Sequence, residues 1–294
     1  MSGASPGSFV HRRIAVTFAK PGSKAVTLRG LRMACMISQA GGQMQGQLDL
    51  RVYGMTQSMM NELTFVGPYL EIPEGGGTEV SVQAGTDEAG LTTVYQGVVA
   101  TAMGEYNNAP AVPFHVTATA ALGLALAAVP PVSYQGGAKA DVVIGDLARA
   151  AGMPFENNGV SGIVLHSPYY HGTALDQMQD CAREAGIELS VVDGRVAIWP
   201  KGGARGGAVP LVSPETGLVG YPTRTPIGVN FVTLFNPAIR PFSTIELKSS
   251  LPMCCGRWNI RTMDYNLECE TPGGEWFTSA TCVVPLDFTP GSTA

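Results

Sequence analysis

The chain has 294 residues, enough for two or three domains that each bury a core of their own. Its 18 Lys and Arg against 23 Asp and Glu give a formal net charge of -5, which excludes a protein built mainly to neutralise nucleic-acid phosphates. Charged residues make up 14%, below the roughly 25% of ordinary soluble domains, and indicate a surface largely covered by partner subunits, because charge is depleted at interface cores.

The start of the chain and its cysteines bear on where the protein is made. Residues 1–9 are small and polar and lack the apolar run of a secretory signal. The most apolar stretch, residues 120–132, ends in two prolines and is too short to cross a bilayer, so no membrane insertion is expected. Six cysteines without a dense framework or a glycosylation sequon predict reduced thiols and synthesis in the cytoplasm.

Residues 1–129 are predicted to form an N-terminal β-barrel-like or sandwich domain. Apolar residues alternate with polar ones, and glycine-rich breaks separate the segments, as in short strands joined by turns. One short helix is predicted over residues 56–63. The predicted apolar strand faces are Ile14, Val16 and Phe18; Leu48, Leu50 and Val52; Val80 and Val82; Val94 and Val98; and Phe114 and Val116.

Residues 130–200 are predicted to form a small α+β domain. One helix, over residues 141–151, ends at Gly152, and a second, from Thr173 to Ala185, has Thr173 as N-cap and ends at Gly186. A hairpin with an Asp193-Gly194 type I′ turn follows. The predicted apolar stripes are Val142, Val143, Leu147 and Ala150 on the first helix, and Leu175, Met178, Cys181 and Ala182 on the second; those of the hairpin are Ile187, Leu189, Val191, Val196 and Ile198.

Residues 201–294 are predicted to form a C-terminal β-barrel-like domain. The glycine-rich segment 201–207 (KGGARGG) is interpreted as a flexible linker, and β-type alternation resumes after it, for example at Val229, Phe231 and Thr233. The predicted fold class is therefore mainly β, α+β overall, with two β-barrel or sandwich domains flanking a small α+β domain.

Five segments of the chain resemble the baseplate hub proteins of contractile-type phage tails. They are SYQGGAKADVVIGDLARAAG (133–152), ENNGVSG (156–162), HGTALDQMQDCAREAGIELSVVDGRVAIWP (171–200), SPETGLVGYPTRTPIGVNFVTLFNPAIRP (213–241) and GRWNIRTMDYNLECETPGGEWFTSATCVV (256–284). The resemblance consists of many loosely spaced positions, and the first third of the chain matches only in position and β character.

This resemblance implies a structural virion protein with no enzymatic activity, no catalytic, metal or cofactor-binding residues and no cofactor. It implies tail-tube-like barrels in a homotrimeric hub, whose six barrels match a sixfold tube to a threefold spike and pass DNA during genome ejection. The implied partners are two further copies, the tail tube or distal tail protein, the spike and other baseplate proteins. The implied location is the virion tail, after assembly in the host cytoplasm.

Two other functions are the alternatives: a tail-associated cell-wall hydrolase and a carbohydrate-binding β module. The segment HSPYYH (166–171) places Ser167 beside His166, with His171, Asp176 and Cys181 near in sequence. Triads are defined by geometry, however, and adjacency alone does not create one. The carboxylates Glu62, Glu71, Glu74, Asp87 and Glu88 form no recognisable glycosidase pair.

Metal binding and carbohydrate binding have weaker sequence support still. Cys254, Cys255, Cys269 and Cys282 lack the Cys-X₂-Cys spacing of zinc sites, which favours buried thiols. A sugar platform would need exposed aromatic rings, for which Tyr169, Tyr170 and Trp199 are the candidates. The pair Trp276–Phe277 is interpreted as a core anchor.

Overall fold

A computed structural model describes residues 11–40, 45–66 and 77–285. The first block contains strands and one helix, with a 3-10 turn at Tyr106–Asn108. Its elements are β1 (Arg12–Ala19), β2 (Val26–Leu28), β3 (Met33–Ala40), β4 (Gln47–Tyr53), α1 (Gln57–Leu63), β5 (Phe65–Val66), β6 (Glu79–Thr86), β7 (Gly90–Gly104) and β8 (Pro113–Thr119).

The middle block mixes helices with short strands. The helix α2 (Leu122–Leu126), which was not predicted, precedes this block. The elements of the block are β9 (Val132–Ser133), β10 (Gly137–Lys139), α3 (Ala140–Ala150), β11 (Phe155–Asn157), β12 (Val164–His166), β13 (Tyr169–Tyr170), α4 (Ala174–Ala185), β14 (Ile187–Val192) and β15 (Arg195–Pro200).

The last block returns to strands, with 3-10 turns at Pro214–Thr216 and Pro252–Cys254. Its elements are β16 (Leu211–Val212), β17 (Leu218–Arg224), β18 (Gly228–Leu234), β19 (Thr244–Leu247), β20 (Gly256–Cys269) and β21 (Trp276–Val283). The mainly β fold class predicted from the alternation of apolar residues is confirmed.

A single sheet runs through the first and last blocks. Its strand order is β17-β18-β21-β20-β3-β4-β8-β7-β6-β1-β2, with β19 and β16 added beside β20 and β5 beside β7. The junction is the antiparallel ladder between β20 and β3, which extends from Thr262 opposite Ala40 to Cys269 opposite Met33. Strands more than 200 residues apart in sequence are therefore hydrogen-bonded neighbours.

The sheet curls so that β1 approaches the far end of β20. Arg12 Nη1 donates to the carbonyl of Gly274 at 2.7 Å, and Arg13 lies 3.3 Å from Glu270. The inward residues of both blocks are buried, including Val16, Leu50 and Phe114 in the first. The strand faces predicted from alternation are thus largely confirmed, because side chains alternate across a sheet with a period of two.

The helices of the middle block begin and end close to the predicted residues. α4 has Thr173 as its N-cap in a complete capping box with Asp176, and it ends at Gly186 in the left-handed region with φ 65°. Burial confirms the predicted stripe of α4. On α3 the prediction was wrong at Val142, which is 47% exposed, and at Ala150, which is also exposed, because Ile144 and Ala148 complete the buried stripe instead.

The hairpin of β14 and β15 is buried on both faces. Asp193 and Gly194 have φ values of 52° and 70°, as the predicted type I′ turn requires. One face packs within the middle block. On the other face, Trp199 stacks on Phe242 of the last block, with ring centroids 5.0 Å apart. The middle block therefore shares buried surface with the last block. Among the described residues, no helix is long and apolar enough to span a membrane.

Candidate assembly surface

One side of the long sheet is turned away from the core. Along β20, Met263, Tyr265 and Leu267 are buried, whereas Asp264 and Asn266 between them are partly exposed. The register carries this alternation from strand to strand, for example from Asp264 to Ser38. The outward face so defined comprises Val219, Tyr221, Asn230, Val232, Leu234, Ser279, Thr281, Thr262, Asp264, Asn266, Glu268, Met36, Ser38, Gln47, Asp49, Arg51, His115, Thr117, Thr119, Thr101 and Met103.

The middle of the outward face is polar and carries little charge. Its hydroxyl and amide side chains contact one another across strands, as Thr101 and Thr117 do at 2.7 Å. The carboxylates Asp49, Asp264 and Glu268 face one guanidinium in this set, Arg51, which lies 3.4 Å from Asp49. Even with Arg261, which is exposed at the adjoining bulge of β20, the acids remain in excess.

His115 connects the loop after β7 to this face through contacts of both its ring nitrogens. His115 Nδ1 lies 2.9 Å from Glu105, and its Nε2 lies 3.0 Å from Asp49. Asn108 donates to the other oxygen of Glu105 at 2.9 Å. The 3-10 turn at Tyr106–Asn108 is therefore held in place by side-chain contacts to β4 and β8.

The β17 end of the outward face is apolar. Val219 is 41% exposed, Tyr221 75%, Val232 38% and Leu234 44%. Beside them lies a depression of about 250 Å³, lined mainly by residues of β17, β18 and β21 together with Asp264. Exposed apolar side chains clustered on one face mark a contact surface more often than isolated ones do.

A buried arginine joins the middle block to the segment that follows it. The side chain of Arg205 is only 7% exposed and donates to both oxygens of Glu156, each at 3.0 Å, and to Asp193 at 3.2 Å. The hydrogen bond from Arg205 holds the pKa of Glu156 below its usual range, and a bond from Asn158 adds to the effect.

The prediction that residues 201–207 form a flexible linker is therefore wrong. Arg205 N donates to Phe242 O at 2.7 Å, Gly206 N to Asn158 Oδ1 at 3.0 Å, and Asn259 Nδ2 to Gly202 O at 3.1 Å. Glycine-rich composition usually produces a loose chain, but here Arg205 supplies the side chain that fixes it. The three domain boundaries stay a prediction.

The segment HSPYYH does not assemble a nucleophile. Among the hydrogen bonds of the described residues, none joins Ser167 to either histidine; Ser167 N instead donates to Gly136 O at 2.6 Å. His171 stacks on Tyr169, and Asp176 is engaged in the cap of α4. Burial raises the pKa of the Cys181 thiol to about 12, which keeps it protonated and unreactive.

The four C-terminal cysteines are free thiols at separate places. Cys254, Cys269 and Cys282 are buried, as predicted, whereas Cys255 is exposed. Cys254 Sγ contacts Pro222 O, and Cys269 Sγ contacts Leu31 O. Within the described ranges, His, Cys, Asp and Glu form no cluster of three suited to a metal.

The aromatic residues that were the candidates for a sugar platform do not form one exposed cluster. Of the three aromatic candidates only Tyr169 is exposed, since Tyr170 donates to Glu184 at 2.7 Å and Trp199 is buried. Trp276 is a core anchor, as predicted, and Phe277 is partly exposed on the opposite side of the strand.

Of the five carboxylates considered as a glycosidase set, Glu62 lies on α1 and Asp87 and Glu88 lie in the turn between β6 and β7. Asp87 pairs with Arg13 at 2.8 Å. Glu62 and Glu88 are exposed, and Glu71 and Glu74 lie outside the described residues.

Sequence reasoning missed two features of this surface. The first is Tyr221, which stands directly before Pro222 in a strand. A proline within a strand is a sign of a sheet edge, and the sequence alone could have shown it. The partners of Arg205, by contrast, are 12 and 49 residues away, and no local pattern connects them.

Comparison with known families gives one match that covers most of the chain. The family model described as "Baseplate hub gp41" matches residues 13–280. No curated protein matches the sequence.

Solved structures of tail proteins share the fold over nearly the whole chain. The 43 kDa tail protein of prophage MuSo2 from Shewanella oneidensis is 11% identical with TM-score 0.62, covering 92% of this chain and 96% of that one. A tail protein from Neisseria meningitidis MC58 is 9% identical with TM-score 0.63 and the same coverages, 92% and 96%.

A third similar structure comes from a secretion system. An Escherichia coli type VI secretion component, described as similar to the T4 tail proteins gp27 and gp5, is 11% identical with TM-score 0.58. The match covers 90% of this chain and 76% of that one. Sequence identities this low show only that these structures share the fold of this chain.

Proposed function

Because the chain belongs to the baseplate hub gp41 family, a structural tail family and not an enzyme family, we propose that it forms a homotrimeric hub between tail tube and spike. Its role as a structural component of a phage tail follows from the family itself. The copy number, the tube and spike as neighbours, and assembly in the host cytoplasm are the proposed part.

The observation that carries the proposal is the ladder between β3 and β20. It joins the first and last β blocks into one curved wall, so that each subunit offers two β-rich segments side by side. Three such subunits meeting head to tail close a ring with threefold symmetry and six β-rich segments. A ring of that kind fits a sixfold tube on one side and a threefold spike on the other.

The outward face suits the wall of a channel for DNA. Its middle is lined by hydroxyl and amide groups with a small excess of carboxylates. A strongly basic lining would hold DNA through counterion release, whereas a polar and slightly acidic one lets it slide. DNA is then a passing contact during ejection and not a bound ligand.

The middle block, residues 130–200, lies outside the channel wall in this proposal and contacts other baseplate proteins. Its exposed Val142, Val164 and Tyr169 leave apolar groups available for such contacts. Arg205, bound to Glu156 and Asp193, forms a clamp that holds this block in a fixed position on the last block.

Deletion of the gene tests the proposal. Cells producing tails without this protein should accumulate tubes and spikes that do not join, and electron microscopy should show no complete baseplates. Supply of the protein in trans should restore them. Complete tails formed without the protein would refute a hub role.

Zymograms with purified protein address the hydrolase alternative. We expect no clearing of peptidoglycan by the wild type, and the same result for His166→Ala and His171→Ala. Clearing that disappears in either variant would establish an enzyme.

A further inference from the structure

Apolar side chains are exposed at both ends of the outward face. At the β17 end they are Tyr221, Val219 and their β18 neighbours. At the other end, where β5 is the last strand, Met103 on β7 is 40% exposed and Tyr106 just beyond it is 51% exposed. The middle of the face between them is mostly polar.

The two ends differ in shape. The β17 end has the depression of about 250 Å³. The other end has exposed side chains that are held in position: a Cβ at Gly104 would come within 2.9 Å of the Tyr106 ring, so the ring lies directly over the glycine. The contacts of Glu105 with His115 and Asn108 fix the same turn. Anchor side chains that fill pockets dominate binding energies at protein interfaces.

The edge of β17 is unsuited to pairing with another strand. Its register with β18 shifts between Val219 and Thr223, and Pro222 lacks an N–H within that bulge. Bulges and prolines are devices that prevent edge-to-edge pairing. A neighbour at this end must therefore bind through side chains on the face of the sheet.

We infer that Met103 and Tyr106 of one copy pack into the depression beside Tyr221 and Val232 of the next copy. The inference rests on the proposed ring and identifies the surfaces that close it. The contact is head to tail, since each copy supplies the exposed Met103 and Tyr106 at one end and the depression at the other. Asp264 is the one charged residue among the described residues that line the depression, so the contact carries little charge, like the cores of protein interfaces.

Cysteine cross-linking in assembled tails tests this contact. The chain carries Cys255→Ser, which removes the exposed native thiol, together with Met103→Cys and Tyr221→Cys. A short bismaleimide should link the double variant into covalent dimers and trimers on denaturing gels. Each single variant should stay monomeric. The matched control is Met103→Cys with Tyr169→Cys, because Tyr169 is 62% exposed but lies on β13 of the middle block, outside the outward face.

The outcomes separate this contact from the ring itself. Tails that contain three copies but whose double variant links no more than the control would refute the contact and leave the ring standing. Linked dimers from Tyr221→Cys alone would show a symmetric contact and also refute it. Tails with a single copy would overturn the ring and the contact together.

Discussion

Arg205 holds in place a segment whose glycine-rich composition predicts a mobile chain. It stands among four glycines in residues 201–207. Its guanidinium is nevertheless buried against two carboxylates of the middle block, and its backbone N–H bonds to Phe242 of the last block. Buried charges persist only where they are paired in this way.

Replacement of this side chain should destabilise the fold. Arg205→Ala removes charge-assisted hydrogen bonds to Glu156 and Asp193, and we expect a loss of about 1.5–3 kcal/mol in the free energy of unfolding. Arg195→Ala is the matched control, because Arg195 lies 3.6 Å from the same Glu156 but is 47% exposed, and it should cost no more than about 1 kcal/mol. Urea titrations measure both; equal losses would show that the clamp is no stronger than a surface pair.

The clamp should also make stability depend on acid pH. The pKa of Glu156 is lower in the folded chain than its usual value of 4.5, chiefly through the bond from Arg205. Its stabilising contribution is therefore complete above pH 4.5 and is lost as the pH falls through the lower folded pKa. Urea midpoints of wild type and Glu156→Gln should converge below that window. A constant difference between them would contradict the assignment.

At the scale of elements, the residues that begin and end α4 could be read from the sequence, since capping depends on side chains close by. Thr173, Asp176 and Gly186 take the predicted roles. The exposed side of α3 was harder to predict from the sequence. Val142 is apolar but exposed, because the buried stripe of the helix is determined by the elements that pack on it. The double burial of the β14–β15 hairpin likewise depends on Phe242, 43 residues beyond Trp199.

The cap of α4 makes a measurable contribution. Thr173→Ala removes the acceptor for Asp176 N and should lower the free energy of unfolding by about 1 kcal/mol. Thr173→Ser keeps the hydroxyl and should stay close to wild type. Thermal or urea unfolding compares the three proteins; an alanine variant as stable as the serine variant would show that the hydroxyl bond contributes nothing.

At the scale of the whole molecule, alternation predicted most strands and the mainly β class, but it did not predict how the strands are ordered. The β3–β20 ladder joins residues more than 200 positions apart, and a period of two says which way a side chain points without naming the partner strand. The candidate assembly surface depends on that ladder. Individual outward residues such as Asn266 could be assigned to a face, but the continuous face could not.

The charge of the channel wall should affect ejection of DNA. Glu268→Arg changes a carboxylate of the outward face, away from the depression, into a guanidinium, and three copies would multiply the change. We expect assembly to proceed but DNA ejection to slow, most clearly at low salt. Glu88→Arg is the control with the same change of charge, placed in the exposed turn between β6 and β7. Equal ejection rates for both variants would argue that the outward face does not meet DNA.

The central claim concerns copy number and position in the assembled tail. A reconstruction of the tail tip by electron cryomicroscopy measures both at once. We expect three copies in a closed ring between tube and spike, with the outward face of the β17–β20–β3–β7 sheet toward the channel. A single copy, a sixfold ring, or this face turned away from the channel would contradict the claim.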